Sequence, residues 1–272
     1  MFNISKAHWY GRLASALLLT FVLAGCATTA RNTTSVVDYL YPNKEEIVSR
    51  SVPVLTLPLR VGIAFVPGNS GFATAQRAFS AARPIGQARG SILTEQQKLD
   101  VMKEVANHFR KHPFVKDIQV IPTDYLTPRG SFQNLDQIRA MYGVDEIVLL
   151  SYDQTQFTDE GFLSITYWTI VGAYLVQGEK NDTQTMVDAV VYDIPSRKLL
   201  FRAPGTSLVK GSATYVNQSQ ELRRDSETGV RKAVAGMIEN LDVELAAFRA
   251  RVRENPADYT VIKLEGYRGD KN

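Results

Sequence analysis

The sequence predicts an α/β fold with α+β character, in which a mixed sheet with crossover helices continues into long antiparallel strands. Three observations support this prediction. Short β-branched runs alternate with helical patterns in the first half of the chain, two apolar runs flank a proline-containing turn in the second half, and a long amphipathic helix follows at residues 220–254.

The first half of the chain predicts a strand, helix, strand, helix, strand order. Residues 60–66 are apolar and β-branched and end before Pro67, as a buried strand does. A capping box of Thr94 and Gln97 begins a helix of about 17 residues, which ends before Pro113.

A second helix is predicted between strands at 118–121 and 146–151. Asn134 is its expected N-cap, and Gly143 is expected to end it. Parallel strands require crossover connections of this length, so we expect helices packed against a partly parallel sheet.

The second half predicts antiparallel strands at 184–193 and 199–203, joined by a turn at 194–197. Residues 162–176 are apolar, but they are too few and too β-branched to span a membrane and are assigned to the same sheet. The helix at 220–254 carries an apolar stripe, which predicts packing on the sheet, with a coiled-coil dimer seam as the alternative.

The N-terminus has the pattern of a bacterial lipoprotein signal peptide. Lys6 and Arg12 precede an apolar run at 13–25, which is too short to cross a bilayer as a helix. The run ends in the lipobox sequence Leu-Ala-Gly-Cys, so cleavage after Gly25 and acylation of Cys26 are expected. The alternative is an ordinary secretory signal followed by cysteine by chance.

The predicted organisation follows from this signal. Residues 1–25 are the signal peptide, 26–58 a lipidated tether and extended wrapping segment without a regular helix, 59–254 a single α/β domain, and 255–272 a C-terminal tail. Because Ala27 and not aspartate follows the lipidated cysteine, we expect outer-membrane residence, facing the periplasm or the cell surface.

Charge and cysteine content exclude some classes of protein. The full chain has 31 basic and 28 acidic residues, and loss of Lys6 and Arg12 would leave 29 against 28. This balance argues against a nucleic-acid partner, which requires a strong basic excess. Cys26 is the only cysteine, so the mature body is expected to contain no disulfide and to rely on its core.

Residues typical of catalysis are sparse. Glu104, His108 and His112 stand four residues apart on one helical face, which suits two metal ligands, but without a second histidine or cysteine cluster we expect a solvated polar face and no metal. A serine hydrolase would have to use one of these two histidines as its base. We therefore expect no enzyme and no cofactor, with an envelope hydrolase near His108 or His112 as the alternative.

A cationic segment is the remaining candidate for partner contact. Arg77, Arg83 and Arg89 lie in the stretch 62–94, which has no acidic residue before Glu95. Guanidinium groups in this setting suit lipid phosphates or an acidic protein surface. The alternative is a solvated loop without a partner.

Several stretches resemble the bacterial rhombotarget lipoproteins. They are residues 34–42, 135–144, 151–154, 167–174, 178–183 and 201–207. The resemblance implies an envelope lipoprotein and names no chemistry; family members carry a glycine-containing C-terminal sorting tail, whereas residues 266–272 lack an apolar segment. A more remote similarity, at the level of fold alone, is to α/β modules of periplasmic lipoproteins.

Together these features predict a lipid-anchored envelope lipoprotein without catalysis. The acylated Cys26 would hold it in membrane lipid, and its body would bind or position an envelope protein or an anionic surface. No nucleic-acid partner is expected.

Overall fold

The computed structural model describes residues 28–43, 51–68, 93–160, 179–213, 218–267 and 269. These residues form eight strands and four α-helices. The strands are β1 (Thr28–Thr33), β2 (Val54–Leu57), β3 (Leu59–Phe65), β4 (Val115–Val120), β5 (Glu146–Glu160), β6 (Glu179–Asp193), β7 (Lys198–Ala213) and β8 (Thr260–Lys263). The helices are α1 (Val36–Leu40), α2 (Glu95–Phe109), α3 (Ser131–Tyr142) and α4 (Gln218–Glu254).

The main sheet is mixed, which confirms the predicted α/β class. Its strand order is β4-β3-β5-β6-β7, with β3 parallel to both of its neighbours and β5, β6 and β7 antiparallel. Strand β1 pairs with the far half of β5, beyond the point where β3 ends, and is antiparallel to it. A separate pair joins β2 to β8 in parallel.

Helices cover both faces of the sheet and divide the core into two clusters. In β5, Val148 and Leu150 face α2 and α4, whereas Ile147 and Leu149 face α1 and α3. This separation follows from the two-residue period of a strand, which sends successive side chains to opposite faces. Strands buried on both faces read as continuous apolar runs, as residues 147–150 do.

Local signals in the sequence are confirmed where the structure describes them. Thr94 and Gln97 form the reciprocal capping box of α2, which is 15 residues long. Gly143 ends α3 in the left-handed conformation, with φ of 64°. A tight turn between β6 and β7 places Arg197 at a φ of 61°.

The prediction of a helix-free, extended segment before residue 58 is wrong. Ser35 caps the short helix α1 by accepting a hydrogen bond from the backbone N–H of Asp38, and Val36, Tyr39 and Leu40 are buried. Burial of these three side chains stabilises a helix too short to form alone in water. The predicted tether also contains β1, and the predicted tail contains β8.

The prediction that Asn134 caps α3 is also wrong, because the helix begins at Ser131. Asn134 is instead a buried tertiary contact. Its Oδ1 accepts hydrogen bonds from the Tyr39 hydroxyl and the Thr127 backbone N–H, both at 2.8 Å. This amide therefore joins α1 to the connection that precedes α3.

The C-terminal helix packs on the sheet of its own chain, so the coiled-coil alternative is wrong. Its stripe lies against β6 and β7, and the contacts continue along most of the helix. The stripe residues buried in this contact are Val230, Val234, Met237, Leu241, Leu245 and Phe248. Residues 162–176, predicted to extend the sheet, lie outside the described residues.

Candidate functional site

An apolar cavity of about 470 Å³ lies between the sheet, α2, α4 and the β2–β8 pair. It is at the end of the sheet where β3 and β5 begin and β6 terminates. Val61, Val148 and Val191 line it from the sheet, Phe109, Leu245 and Phe248 line it from the helices, and Phe114 lines it from the turn before β4. Ligand pockets in proteins typically enclose about 300–1,000 Å³ and have mostly apolar linings, so this cavity has the dimensions of a binding site.

Strand alternation and helix periodicity explain why these side chains converge. Val148 follows Glu146 by two residues, so both side chains point to the α2 and α4 face of β5. Leu245 and Phe248 are three residues apart and lie on the same face of α4. Leu55 and Val261, from paired strands, close the cavity on the side away from the sheet.

One acidic residue, Glu146, lies within this mostly apolar lining. Its side chain lines the cavity, the residue is only 1% exposed, and neither carboxyl oxygen makes a hydrogen bond of good geometry within the described part of the chain. Burial raises its pKa to about 8, with further contributions from Asp145 and Asp193; its own backbone N–H and the Arg60 guanidinium offset part of the rise. The carboxyl group is therefore predominantly neutral at pH 7 and able to donate a hydrogen bond.

Neighbouring charges do not neutralise this carboxyl group. The Arg60 guanidinium donates to the carboxylate of Asp145 at 2.6 Å, and that of Arg139 lies 3.1 Å from the other oxygen of the same carboxylate. Asp193, which is opposite Glu146 in the ladder, accepts a hydrogen bond from the backbone N–H of Ser196 at 2.8 Å. Burial is also the main reason that the pKa of Asp193 is raised.

The rim of the cavity is basic. Arg249, Arg253 and Lys263 are exposed residues among those that line it. The Arg249 guanidinium lies over the Phe114 ring, 5.6 Å from its centroid. Among the described residues of the lining, Glu146 is the only acidic one, and in its neutral form it leaves the charge of these residues positive and confined to the rim.

His108 lies in the last turn of α2 and His112 in the turn after it, both beside α4, so the prediction that they share a solvated helical face is wrong. Their side chains are only 17% and 26% exposed. His108 Nε2 is 2.7 Å from Asp242 Oδ1, and His112 Nε2 is 3.9 Å from the same oxygen. Glu104 is exposed and does not join this group, and neither histidine lines the cavity.

Other residues predicted as sites lie outside the described part of the chain. These are Gly25, Cys26, Arg77, Arg83 and Arg89. Conversely, sequence analysis did not identify Glu146 or Asp242. The sequence did contain a signal for Glu146. It is two residues before Val148, so if the strand includes it, its side chain points to the same buried face as that of Val148. Asp242 had no such signal, because its partners His108 and His112 are distant from it in the sequence.

No α-helix among the described residues is long and apolar enough to cross a membrane. No protein family matches the chain, and no curated protein is significantly similar to it. Among solved structures, a variant PelC dodecamer from Paraburkholderia phytofirmans has 10% identity and a TM-score of 0.28, covering 79% of this chain and 96% of that one. A second PelC dodecamer structure from the same organism has 8% identity and a TM-score of 0.26, with the same coverage. These TM-scores are too low to support an inference about function.

Proposed function

We propose that this protein is a lipid-anchored envelope lipoprotein that binds, without catalysis, the apolar chain of an anionic amphiphile. The observation that carries this proposal is the cavity of about 470 Å³, apolar within and basic at its rim. The lipobox at Cys26 supports the anchor, and the cavity supports the binding role.

An acyl chain suits the interior of the cavity. Its lining offers aliphatic and aromatic side chains from β3, β5, α2 and α4, and each methylene transferred from water to such surroundings contributes about 0.8 kcal/mol. An anionic headgroup suits the rim, where Arg253 and Lys263 remain exposed to pair with a phosphate or carboxylate.

The occupant is a lipid other than the protein's own anchor. Thr28, two residues after Cys26, pairs with Thr158 on β5, whereas Glu146 is at the opposite end of that strand. Twelve residues of strand separate these positions, a distance of about 40 Å. An acyl chain on Cys26 is therefore at the wrong end of the body to enter the cavity, which favours a free lipid.

The enzyme alternative has less support. A hydrolase would use His108 or His112 as its base, but these side chains are outside the cavity that would hold a substrate. Glu146, which is inside it, is predominantly neutral at pH 7 because of burial. In its neutral form this carboxyl group can orient a ligand by donating a hydrogen bond, and no histidine or serine is among the described residues that line the cavity with it.

Lipid binding is tested by titrating the detergent-free protein, carrying Cys26→Ser, with palmitate, lysophosphatidylglycerol and uncharged monopalmitoylglycerol in a calorimeter. We expect one lipid per chain. Val252→Trp, which fills the mouth of the cavity, should weaken all three lipids by at least about tenfold, because about 1.4 kcal/mol of chain burial corresponds to that factor.

The double variant Arg253→Gln/Lys263→Gln tests the headgroup. It should weaken the two anionic lipids several-fold and leave monopalmitoylglycerol unchanged, and the relative affinity of palmitate and lysophosphatidylglycerol identifies the source of the anionic group. The matched control is Arg223→Gln, on an exposed residue near the other end of α4. Equal binding of every lipid to Val252→Trp and the parent would refute the proposed pocket.

The anchor is tested separately by Cys26→Ala. The variant should lose incorporation of labelled palmitate and leave the membrane fraction, since the thiol is the acylation point and several acyl chains are needed for stable anchoring. Fractionation on a density gradient measures this. A variant that remained in outer-membrane fractions and was still labelled would disprove the lipobox assignment without affecting the pocket.

A further inference from the structure

Three metal-ligating side chains, from α2, the turn after it and α4, converge beside the α2–α4 contact. His108 is in the last turn of α2, His112 lies in the turn that follows the end of α2 at Phe109, and Asp242 approaches both from α4. One ligand atom from each lies within 4.8 Å of the other two. We propose that these residues form a binding site for a divalent transition-metal ion of the Zn²⁺ type, with one coordination position left to solvent.

The distances fit such an ion. Zn²⁺ binds imidazole nitrogen and carboxylate oxygen at about 2.0–2.2 Å, so two ligand atoms of one tetrahedral ion are about 3.3–3.6 Å apart. The two histidine-to-Asp242 distances, 2.7 and 3.9 Å, lie on either side of this value.

A hydrogen bond between His108 and Asp242 explains only part of this arrangement. At 3.9 Å, His112 Nε2 is too far from Asp242 Oδ1 for a hydrogen bond but within the combined length of two metal–ligand bonds, which is about 4.1 Å. The third donor is therefore at a distance suited to an ion that would lie between the two groups.

The surrounding rings restrict how the histidines can turn. The His112 ring is stacked on Phe114 at 5.1 Å between centroids and 26° between planes, and the His108 ring is edge-on to Phe109 at 6.3 Å. Ligands whose orientation is already restricted lose less conformational entropy on binding. Packing thus prepares the two imidazoles for a common ligand.

The donor set indicates the class of metal and leaves access to it. Imidazole nitrogens suit Zn²⁺, Cu²⁺ and Ni²⁺, whereas Mg²⁺ and Ca²⁺ prefer oxygen-rich sites. The Asp242 side chain is 55% exposed, so an ion can enter from solvent and keep a water molecule as its fourth ligand. A bound ion would join α2 to α4 and therefore stabilise the folded chain.

The test uses the Cys26→Ser chain, purified without a histidine tag and dialysed against EDTA and then buffer, because the thiol and a tag would bind zinc themselves. Calorimetry with Zn²⁺ alone should give one saturable site per chain. A Zn²⁺ concentration about a hundredfold above Kd should raise Tm by about 5–10 °C. Co²⁺ in place of Zn²⁺ should give the visible absorption of a tetrahedral site.

Removing any one of the three ligands should weaken Zn²⁺ binding by at least about tenfold and abolish the rise in Tm, because a site with two protein ligands holds zinc poorly. The substitutions that do this are Asp242→Ala, His108→Gln and His112→Gln. Melting in EDTA shows whether each variant folds, and any one folded variant suffices. The matched control is Glu227→Gln, an exposed residue about 22 Å away along α4. Absence of saturable binding by the parent, or undiminished affinity in the folded variants, overturns the proposal.

Discussion

Replacing Gly205 with alanine is expected to lower the free energy of unfolding by about 3 kcal/mol, the upper part of the range for overpacked sites. At Gly205, strand β7 meets the backbone of helix α4. A methyl group there would overlap the Ala233 carbonyl oxygen and the Met237 backbone nitrogen. Both neighbouring side chains are fully buried, so relief would require the helix to move away from the sheet.

Urea denaturation of Gly205→Ala at constant pH measures this loss, and a decrease in Tm of about 6–12 °C should accompany it. The matched control is Gly236→Ala, in helix α4, the helix that Gly205 contacts. Nothing lies within 4 Å of a methyl group at that position, so alanine should stabilise the chain by about 0.5–1 kcal/mol through its better helix propensity. Equal effects of the two substitutions would show that β7 and α4 are not in close contact at Gly205.

Replacing Glu146 with glutamine is expected to abolish one component of the pH dependence of stability. The ordinary pKa of this carboxyl group is 4.5, and burial raises it to about 8 in the folded chain. Between these values the unfolded chain has lost the proton that the folded chain retains, so stability falls as pH rises, by up to about 1.4 kcal/mol per pH unit. Above the folded pKa the loss is complete, on the order of 5 kcal/mol.

Glutamine remains neutral, so Glu146→Gln should match the parent near pH 4.5 and become progressively more stable than the parent up to about pH 8. Urea denaturation at half-unit steps from pH 4.5 to 9 gives both curves. Their difference isolates Glu146, because Asp188 and Asp193, whose pKa values burial also raises, titrate in both chains. The exposed Glu227→Gln serves as the control for replacing a surface carboxylate with an amide. A flat difference for Glu146→Gln would mean that the folded carboxyl group is ionised.

Short-range patterns account for the elements that sequence analysis predicted well. The capping box of α2, the glycine that ends α3 and the turn before Arg197 each depend on a few consecutive residues. Hydrophobic periodicity likewise identified helix α4, because 3.6-residue spacing requires no knowledge of the partner surface. It did not establish that the partner is the chain's own sheet, since a coiled coil has nearly the same spacing.

The incorrect predictions concern elements that depend on distant residues. Helix α1 is too short to be stable alone and depends on the burial of Tyr39 and its neighbours. The amide of Asn134, an apparent helix cap, bonds to that tyrosine from another part of the chain. Strands β2 and β8 pair from opposite ends of the sequence, a contact that neither strand signals by itself.

The candidate sites also combine features that depend on neighbouring residues with features that depend on distant ones. By itself, the sequence determined the α/β class, the order of its main helices and strands, and the four-residue spacing of His108 and His112. Only the tertiary structure brought Asp242 to those histidines and surrounded Glu146 with an apolar cavity. The physical reason is that caps and periodicity act over one or two turns of chain, whereas a metal site and a pKa shift depend on groups that approach through space.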